Sequence, residues 1–344
     1  MDGVAVLDVA EKEALFRQTA ARMRISPVIA EKDFWVCWTL HRIFALEEIP
    51  RLVFKGGTSL SKAYSVIERF SEDIDVTIVP DDLEIPGRID PFVEGLSKKK
   101  RGKAVDAIVN ASTVFIRDRM LPSIQRDFAF LGDREWEAWI PEGEREDGQT
   151  IMFRYPRALE PEDYSGSPYN PPTVRIEFGA RGGYEPASLA SIQPYAADYF
   201  TDFFSAPSAQ IRTLAAERTF WEKATFLHSE NRRTTRPAGT QWIEKSRHCY
   251  DIVMLARKGV AESALQDRPI LKAVADSKTI FWRRSWDDYD EAVNGGLRLV
   301  PKGAFGASLA DDYPRMREMI FGEAPLWEEI IAELARLEDE INDI

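Results

Sequence analysis

Asp73 and Asp75 open the apolar run DIDVTIV, one residue apart, and carry the clearest chemical potential in the chain. In a strand every second side chain points to the same face. The two carboxylates therefore project together, while Ile74, Val76 and Ile78 turn into a core. Carboxylates held this close repel unless a cation lies between them, and hard oxygen ligands suit Mg2+ or Mn2+. Just upstream runs Lys55-Gly56-Gly57-Thr58-Ser59. A Gly-Gly turn can bring bare backbone N–H groups against phosphate oxygens, and Thr58 and Ser59 add hydroxyl donors at the start of a helix. The same hydroxyls could serve as helix caps, and Lys55 is either structural or reaches the site edge. A phosphate cradle, a helix and paired carboxylates form the equipment of a nucleotide transferase, in which a metal neutralises a triphosphate and aligns the attacking oxygen. A P-loop NTPase is excluded, because GGTSLSK lacks the second glycine before Lys-Ser/Thr.

The order and spacing of KGGTS and D-x-D resemble the polymerase-β-type nucleotidyltransferase signature. More narrowly, KGGTSLSKAY followed by RFSEDID is similar to the nucleotidyltransferase toxins of the AbiEii/AbiGii (MenT-like) group, toxin halves of bacterial toxin–antitoxin and abortive-infection pairs. Ile29-Ala-Glu-Lys-Asp33, Glu217-Arg-Thr-Phe-Trp-Glu-Lys223 and Ser246-Arg-His-Cys-Tyr-Asp251 recur in family order, and Asp312-Tyr313 fits the later part. The resemblance implies an α+β fold: a polymerase-β-like lobe with a mixed sheet, a mainly helical second lobe, and a central cleft. It implies Mg2+ (or Mn2+), a nucleoside triphosphate, and NMP transfer to an acceptor, tRNA 3′ ends foremost, with a cognate antitoxin as partner. A protein hydroxyl as acceptor, or a nucleotide-sensing module without turnover, remain the rival readings; the paired aspartates count against the sensor.

The resemblance also draws in residues far along the chain. Lys223 sits on a helical pattern among Trp221, Phe226 and Leu227, where a cation needs a partner charge; a triphosphate would supply it, as would Glu217 or Glu222. Asp251 matches a family aspartate, orienting Lys223 or the nucleotide, or else pairing with Arg247 four residues earlier. Glu177, on the strand pattern Thr173–Phe178, is either a third carboxylate that takes the 3′-hydroxyl proton or a second metal, or a strand residue paired with Arg175 or Arg181. Arg69 and Ser71 fit a supporting role. Two basic clusters could face an acceptor: Lys98 to Lys103, in a solvated loop, and Arg232, Arg233 and Arg236 with Lys245, Arg247 and His248. His41 and His228 show no metal-ligand spacing.

These residues need elements to hold them. Helices are expected over Ala5–Met23 and, after an interruption at Pro27, Ala30–Phe44. Leu52-Val53-Phe54 reads as a strand, Ser61–Arg69 as a helix leading to the D-x-D strand, and Ala104–Asp127 as a long helix. Thr150–Tyr155 and Thr173–Phe178 read as strands, the latter by clean alternation. From about Ala209 the pattern is mainly helical: Leu214–His228, Trp242–Lys258, Ala264–Ala273 and a C-terminal helix with Leu326, Ile330, Leu334 and Leu337 in one stripe. The composition therefore divides the chain into 1–205 and 206–344.

With 344 residues, 44% hydrophobic and 30% charged, the chain can bury a substantial core. No apolar stretch reaches membrane-spanning length, and Met1-Asp2-Gly3 opens no signal peptide. Only two cysteines are present, too few for a disulfide framework or a cysteine zinc site, so a cytoplasmic location is expected. The net charge of −12 argues against a broad nucleic-acid-binding surface. A local basic cleft remains compatible with it, since salt screens charges beyond roughly 10 Å.

Overall fold

The structure, a computed structural model, describes residues 1–143, 148–165, 171–233 and 242–343. Seven strands form one mixed sheet: β1 (Leu52–Lys55), β2 (Ile74–Ile78), β3 (Glu137–Trp139), β4 (Thr150–Arg154), β5 (Thr173–Gly179), β6 (Ala187–Ile192) and β7 (Ala209–Leu214). Their spatial order is β3-β4-β5-β2-β1-β7-β6. β2 lies at the centre, antiparallel to β1 and parallel to β5. Its Ile74, Val76 and Ile78 are buried, as alternation requires.

Helices α1 (Asp2–Ala5), α2 (Val9–Met23) and α3 (Pro27–Phe44) come first. Pro27 opens α3 rather than interrupting it. Proline suits a first helical turn, and the Ser26 hydroxyl caps the end by accepting from Val28 N. α3 drives Trp35 and Trp38 into the sheet, where Trp35 stacks on Tyr155 at 5.5 Å and Trp38 meets Phe128 at 4.8 Å.

α4 (Gly56–Lys62) starts directly at the end of β1. The helix expected over Ser61–Arg69 is therefore displaced. Ser65 adopts a left-handed φ of 54° that no helix continues through, and residues 63–73 form an irregular passage to β2. Lys98 to Lys103 are helical rather than a loop. They begin α5 (Lys98–Phe115), which Ser97 caps, and a π-turn joins it to α6 (Leu121–Phe128).

After α7 (Tyr195–Tyr199), β7 adds a strand to the sheet beyond residue 205, so the change to all-helical structure falls at residue 215. The sequence AQIRTL has too few strand-forming residues to announce itself. The second lobe holds α8 (Ala216–Arg232), α9 (Ser246–Arg257), α10 (Val260–Gln266), α11 (Arg268–Phe281), α12 (Tyr289–Glu291), α13 (Gly303–Met316) and α14 (Trp327–Asn342). The helix expected over Ala264–Ala273 is broken between α10 and α11, where Pro269 starts a new first turn. α14 buries Ile330, Leu334, Leu337 and Ile341, but Leu326 precedes the helix and is exposed.

Two large hydrophobic cores result. One lies under the sheet and α3; the other is in the helical lobe and takes Leu60 and Ile67 from the first lobe's side. Among the described residues no helix is long and apolar enough to cross a membrane.

Candidate active site

The strand register sets the geometry. Lys55 of β1 lies opposite Asp75 of β2, and Asp75 lies opposite Glu177 of β5, giving a row across three neighbouring strands. Gly56 follows Lys55 with φ of 79°, and a Cβ there would lie 2.0 Å from Asp75 Oδ2. A Cβ on Gly57 would lie 2.7 Å from Arg69 Nη2 and 2.9 Å from Ser71 Oγ. Gly56 is thus required by close approach as well as by backbone conformation, and Gly57 by its close approach to the Arg69 and Ser71 side chains.

Thr58 and Ser59 are fully buried and turn inward. The Thr58 hydroxyl donates to the Asp73 carbonyl at 2.5 Å and lies 2.9 Å from Ser71 Oγ; Ser59 donates to the Gly56 carbonyl at 2.9 Å. They brace the turn against the approach to β2. The groups of this segment that face the adjoining cavity are Lys55, Gly56 and Gly57.

That cavity, about 330 Å3, is also lined by Asp73, Asp75, Lys223, Arg69, Arg218, Lys245, Arg247 and Lys278. Burial pushes the Asp75 carboxyl up to about 6; Lys55 and Lys223 oppose this, and Glu177 and Asp73 add to it. Asp73 is likewise raised by burial and by Glu177, against the pull of Arg247, Arg175 and Lys32. Glu177 itself is half exposed and accepts from Arg175 Nε at 2.7 Å. Arg181 instead lies over the Trp282 ring at 5.7 Å.

Two adjacent carboxylates whose charge is disfavoured fit a hard divalent cation. Mg2+ is commonly held by one or two carboxylates, with substrate phosphates and water completing the shell. Among the described residues no group of three or more His, Cys, Asp or Glu converges on one ion position.

The helical lobe contributes Lys223 from α8 and Asp251 from α9. Lys223 Nζ lies 2.8 Å from Asp251 Oδ2, and Asp251 takes a two-pronged ion pair from Arg69 Nε and Nη2, each at 2.8 Å. Burial alone would raise the Asp251 pKa. The Arg69 guanidinium and the Lys223 ammonium outweigh it and hold the carboxyl well below the usual range. The partners of Asp251 are thus Arg69 and Lys223; Arg247, its other candidate partner, lines the cavity on the Asp73 side. α9 is itself anchored by Asp312, which accepts from Glu244 N, Ser246 N and Ser246 Oγ at 2.7, 3.0 and 2.6 Å.

Against this geometry, the family profile described as nucleotidyl transferase AbiEii toxin, type IV toxin–antitoxin system, matches residues 38–333. The chain belongs to this family. It is therefore a nucleotidyltransferase toxin of a type IV toxin–antitoxin system, which implies a nucleoside triphosphate substrate and an antitoxin partner. Among solved structures it is similar to MenT4, a nucleotidyltransferase toxin from Mycobacterium tuberculosis H37Rv. The likeness covers 94% of this chain and 98% of that one, at 19% identity and a TM-score of 0.45. No curated protein sequence matches the chain.

In this AbiEii-type toxin the Ile29–Asp33 block, which precedes the matched region, backs the site rather than lining it. Lys32 pairs with Glu72, next to Asp73, and Asp33 pairs with Lys62 at 2.7 Å. Glu31 is bonded by the Tyr164 hydroxyl and by Ala158 N. Of the basic clusters, Lys245, Arg247 and His248 reach the cavity, whereas Lys98, Lys99, Lys100 and Lys103 are exposed on α5 and do not line it. Arg232 pairs with Asp288 and Glu291, and Arg236 lies outside the described residues.

Arg218 and Lys278 were not evident as site residues from sequence. Arg218 packs where a Cβ on Gly183 would lie 1.7 Å from its Nη2, which explains Gly183 after β5. Arg218 stands inside the ERTFWEK block, so that block held a signal. Lys278 belongs to no block. Burial lowers its pKa to about 8, although Glu222 and Asp287 resist, and its Nζ donates to the Glu222 carbonyl at 2.7 Å.

Proposed function

We propose that this toxin transfers the nucleoside monophosphate of an NTP to the 3′ end of an RNA acceptor, tRNA foremost, with Mg2+ (or Mn2+) held by Asp73 and Asp75. The observation that carries the reading is the Lys55–Asp75–Glu177 row, set beside a cavity that Lys223 shares. When bound, the metal would neutralise the triphosphate and polarise its reacting phosphoryl group.

The chain's own residues supply the rest. Gly56 and Gly57 let phosphate oxygens approach the backbone, with the Thr58 and Ser59 hydroxyls fixing the shape of that turn. Lys55 and Lys223 meet the charge that grows on the departing pyrophosphate. Asp251, with Arg69 behind it, holds the Lys223 ammonium in position. Glu177, half exposed and next to Asp75 in register, is suited to take the proton of the attacking hydroxyl.

An RNA acceptor is favoured by the local charge. Seven Lys and Arg side chains line the cavity against three carboxylates, in a chain whose net charge is −12.

The test is incubation with α-labelled NTPs and total RNA, with and without Mg2+. Mg2+-dependent label in RNA is expected. Label in protein alone would move the acceptor to a protein hydroxyl, and absence of label from both would overturn the reading.

A further inference from the structure

Next to the catalytic cavity lies a second one of about 480 Å3. Phe226, Lys245, Lys278 and Trp282 line both and form the passage between them. Beyond this passage the wall gains Tyr289, Trp242, Ser229, Arg284 and Arg233, with Glu230 paired to both arginines, and among the described residues no aliphatic side chain takes part in it. A gap left by imperfect packing in a helical lobe would be walled by leucine and valine; this one is walled mainly by aromatic faces and cations, with Glu230 the single carboxylate among the described lining residues.

Trp282 is 37% exposed. Gly182 makes room beside it, since a Cβ there would lie 3.3 Å from Trp282 Cη2. Arg284 lies over the neighbouring Trp286 ring at 5.7 Å, which steadies its charge at the rim. Lys278, anchored to the Glu222 carbonyl, stands where the two cavities meet. Open aromatic faces interleaved with cations are the surface on which unpaired bases stack while their phosphates are neutralised.

We propose that the second cavity is a nucleobase-binding subsite, stacking one unpaired base on Trp282 with the attached phosphate towards Lys278 and Lys245. The proposal rests on the nucleotidyl-transfer reading, though not on the identity of its acceptor. The base of the incoming NTP and the base at the 3′ end of an RNA share the required chemistry, and the experiment separates them.

Dissociation constants are measured for wild type, Trp282→Ala and Trp282→Phe with an NTP, with inorganic tripolyphosphate, and with an RNA hairpin carrying a short unpaired 3′ end. Trp282→Ala is expected to weaken the NTP or the RNA about tenfold. Tripolyphosphate, which has no base, should keep its affinity, and Trp282→Phe should restore most of the loss. Weakened NTP assigns the subsite to the donor's base; weakened RNA assigns it to the acceptor's. Unchanged affinity for both overturns the proposal. An equal loss for tripolyphosphate also overturns it, because Trp282 would then act only by supporting Arg181 and the phosphate end. A wild type that binds these probes yet transfers no label would defeat the transfer reading while leaving these affinities to decide the subsite.

Discussion

A single methyl group at Gly56 would press on Asp75 Oδ2 and demand a left-handed φ from alanine. Gly56→Ala is therefore expected to displace the carboxylate and abolish divalent-ion binding. Its stability cost is about 1 kcal/mol or more from the backbone alone, measurable by calorimetry and chemical denaturation.

Asp75 makes a second residue-scale prediction. Its native pKa is raised to about 6, so its contribution to stability is present in acid and is lost as pH rises through that value. At pH 7 without divalent ions, Asp75→Asn should raise the melting temperature by roughly 2 °C. Added Mg2+ should raise that of the wild type but not of the variant, and Mg2+ binding should release protons near pH 6. Thermal scans across pH, with and without Mg2+, check both.

The D-x-D pair and the Gly-Gly turn were legible because their chemistry is local, written within a strand period and a turn. The inward direction of Thr58 and Ser59 was not. It depends on α4 starting at Gly56, which no residue type in GGTSLSK specifies over a start several residues later.

At the scale of elements, the buried Arg69–Asp251–Lys223 cluster ties α8 and α9 to the first lobe, beside the packing of Leu60 and Ile67 into the helical core. Removing the carboxylate would leave two cations facing each other in a dry site. Asp251→Ala is expected to cost about 3–5 kcal/mol and to lower activity with it. Lys223→Ala should spare more of the fold while cutting turnover, and Lys223→Arg should recover only part, because a forked guanidinium cannot occupy the place of a point-like ammonium. Melting curves beside turnover numbers separate the two effects.

Lys223 and Asp251 could be paired in the sequence because they stand in ordered blocks. The partnership of Asp251 with Arg69 spans 182 positions and leaves no local periodicity to read. The helix starts at Gly56 and Lys98 and the strand β7 were hidden for a related reason. Their boundaries come from a register or cap supplied by a neighbour, and short segments carry too few residues to display a period.

For the whole molecule, the decisive property is an acidic protein with a concentrated basic cavity between a sheet and a helical lobe. The two-lobed plan was legible in the shift from mixed to helical patterning. The recruitment of Lys278 and Arg218 was not, since closing the lobes brings them together from separate stretches of chain. Because the attraction for phosphate is local, tripolyphosphate binding should weaken as salt is raised, yet less steeply than for a protein that follows a nucleic-acid backbone over many phosphates; a salt titration of its dissociation constant measures this.

Nucleotidyl transfer is proposed to run through the Asp73/Asp75 pair. Its most direct test is the Mg2+-dependent transfer of α-labelled nucleotide to RNA by wild type and by Asp75→Asn at equal, verified folding. Transfer by the wild type and its loss in the variant, with melting temperature unchanged or raised, is the expected result. Undiminished labelling by a folded Asp75→Asn protein would contradict it.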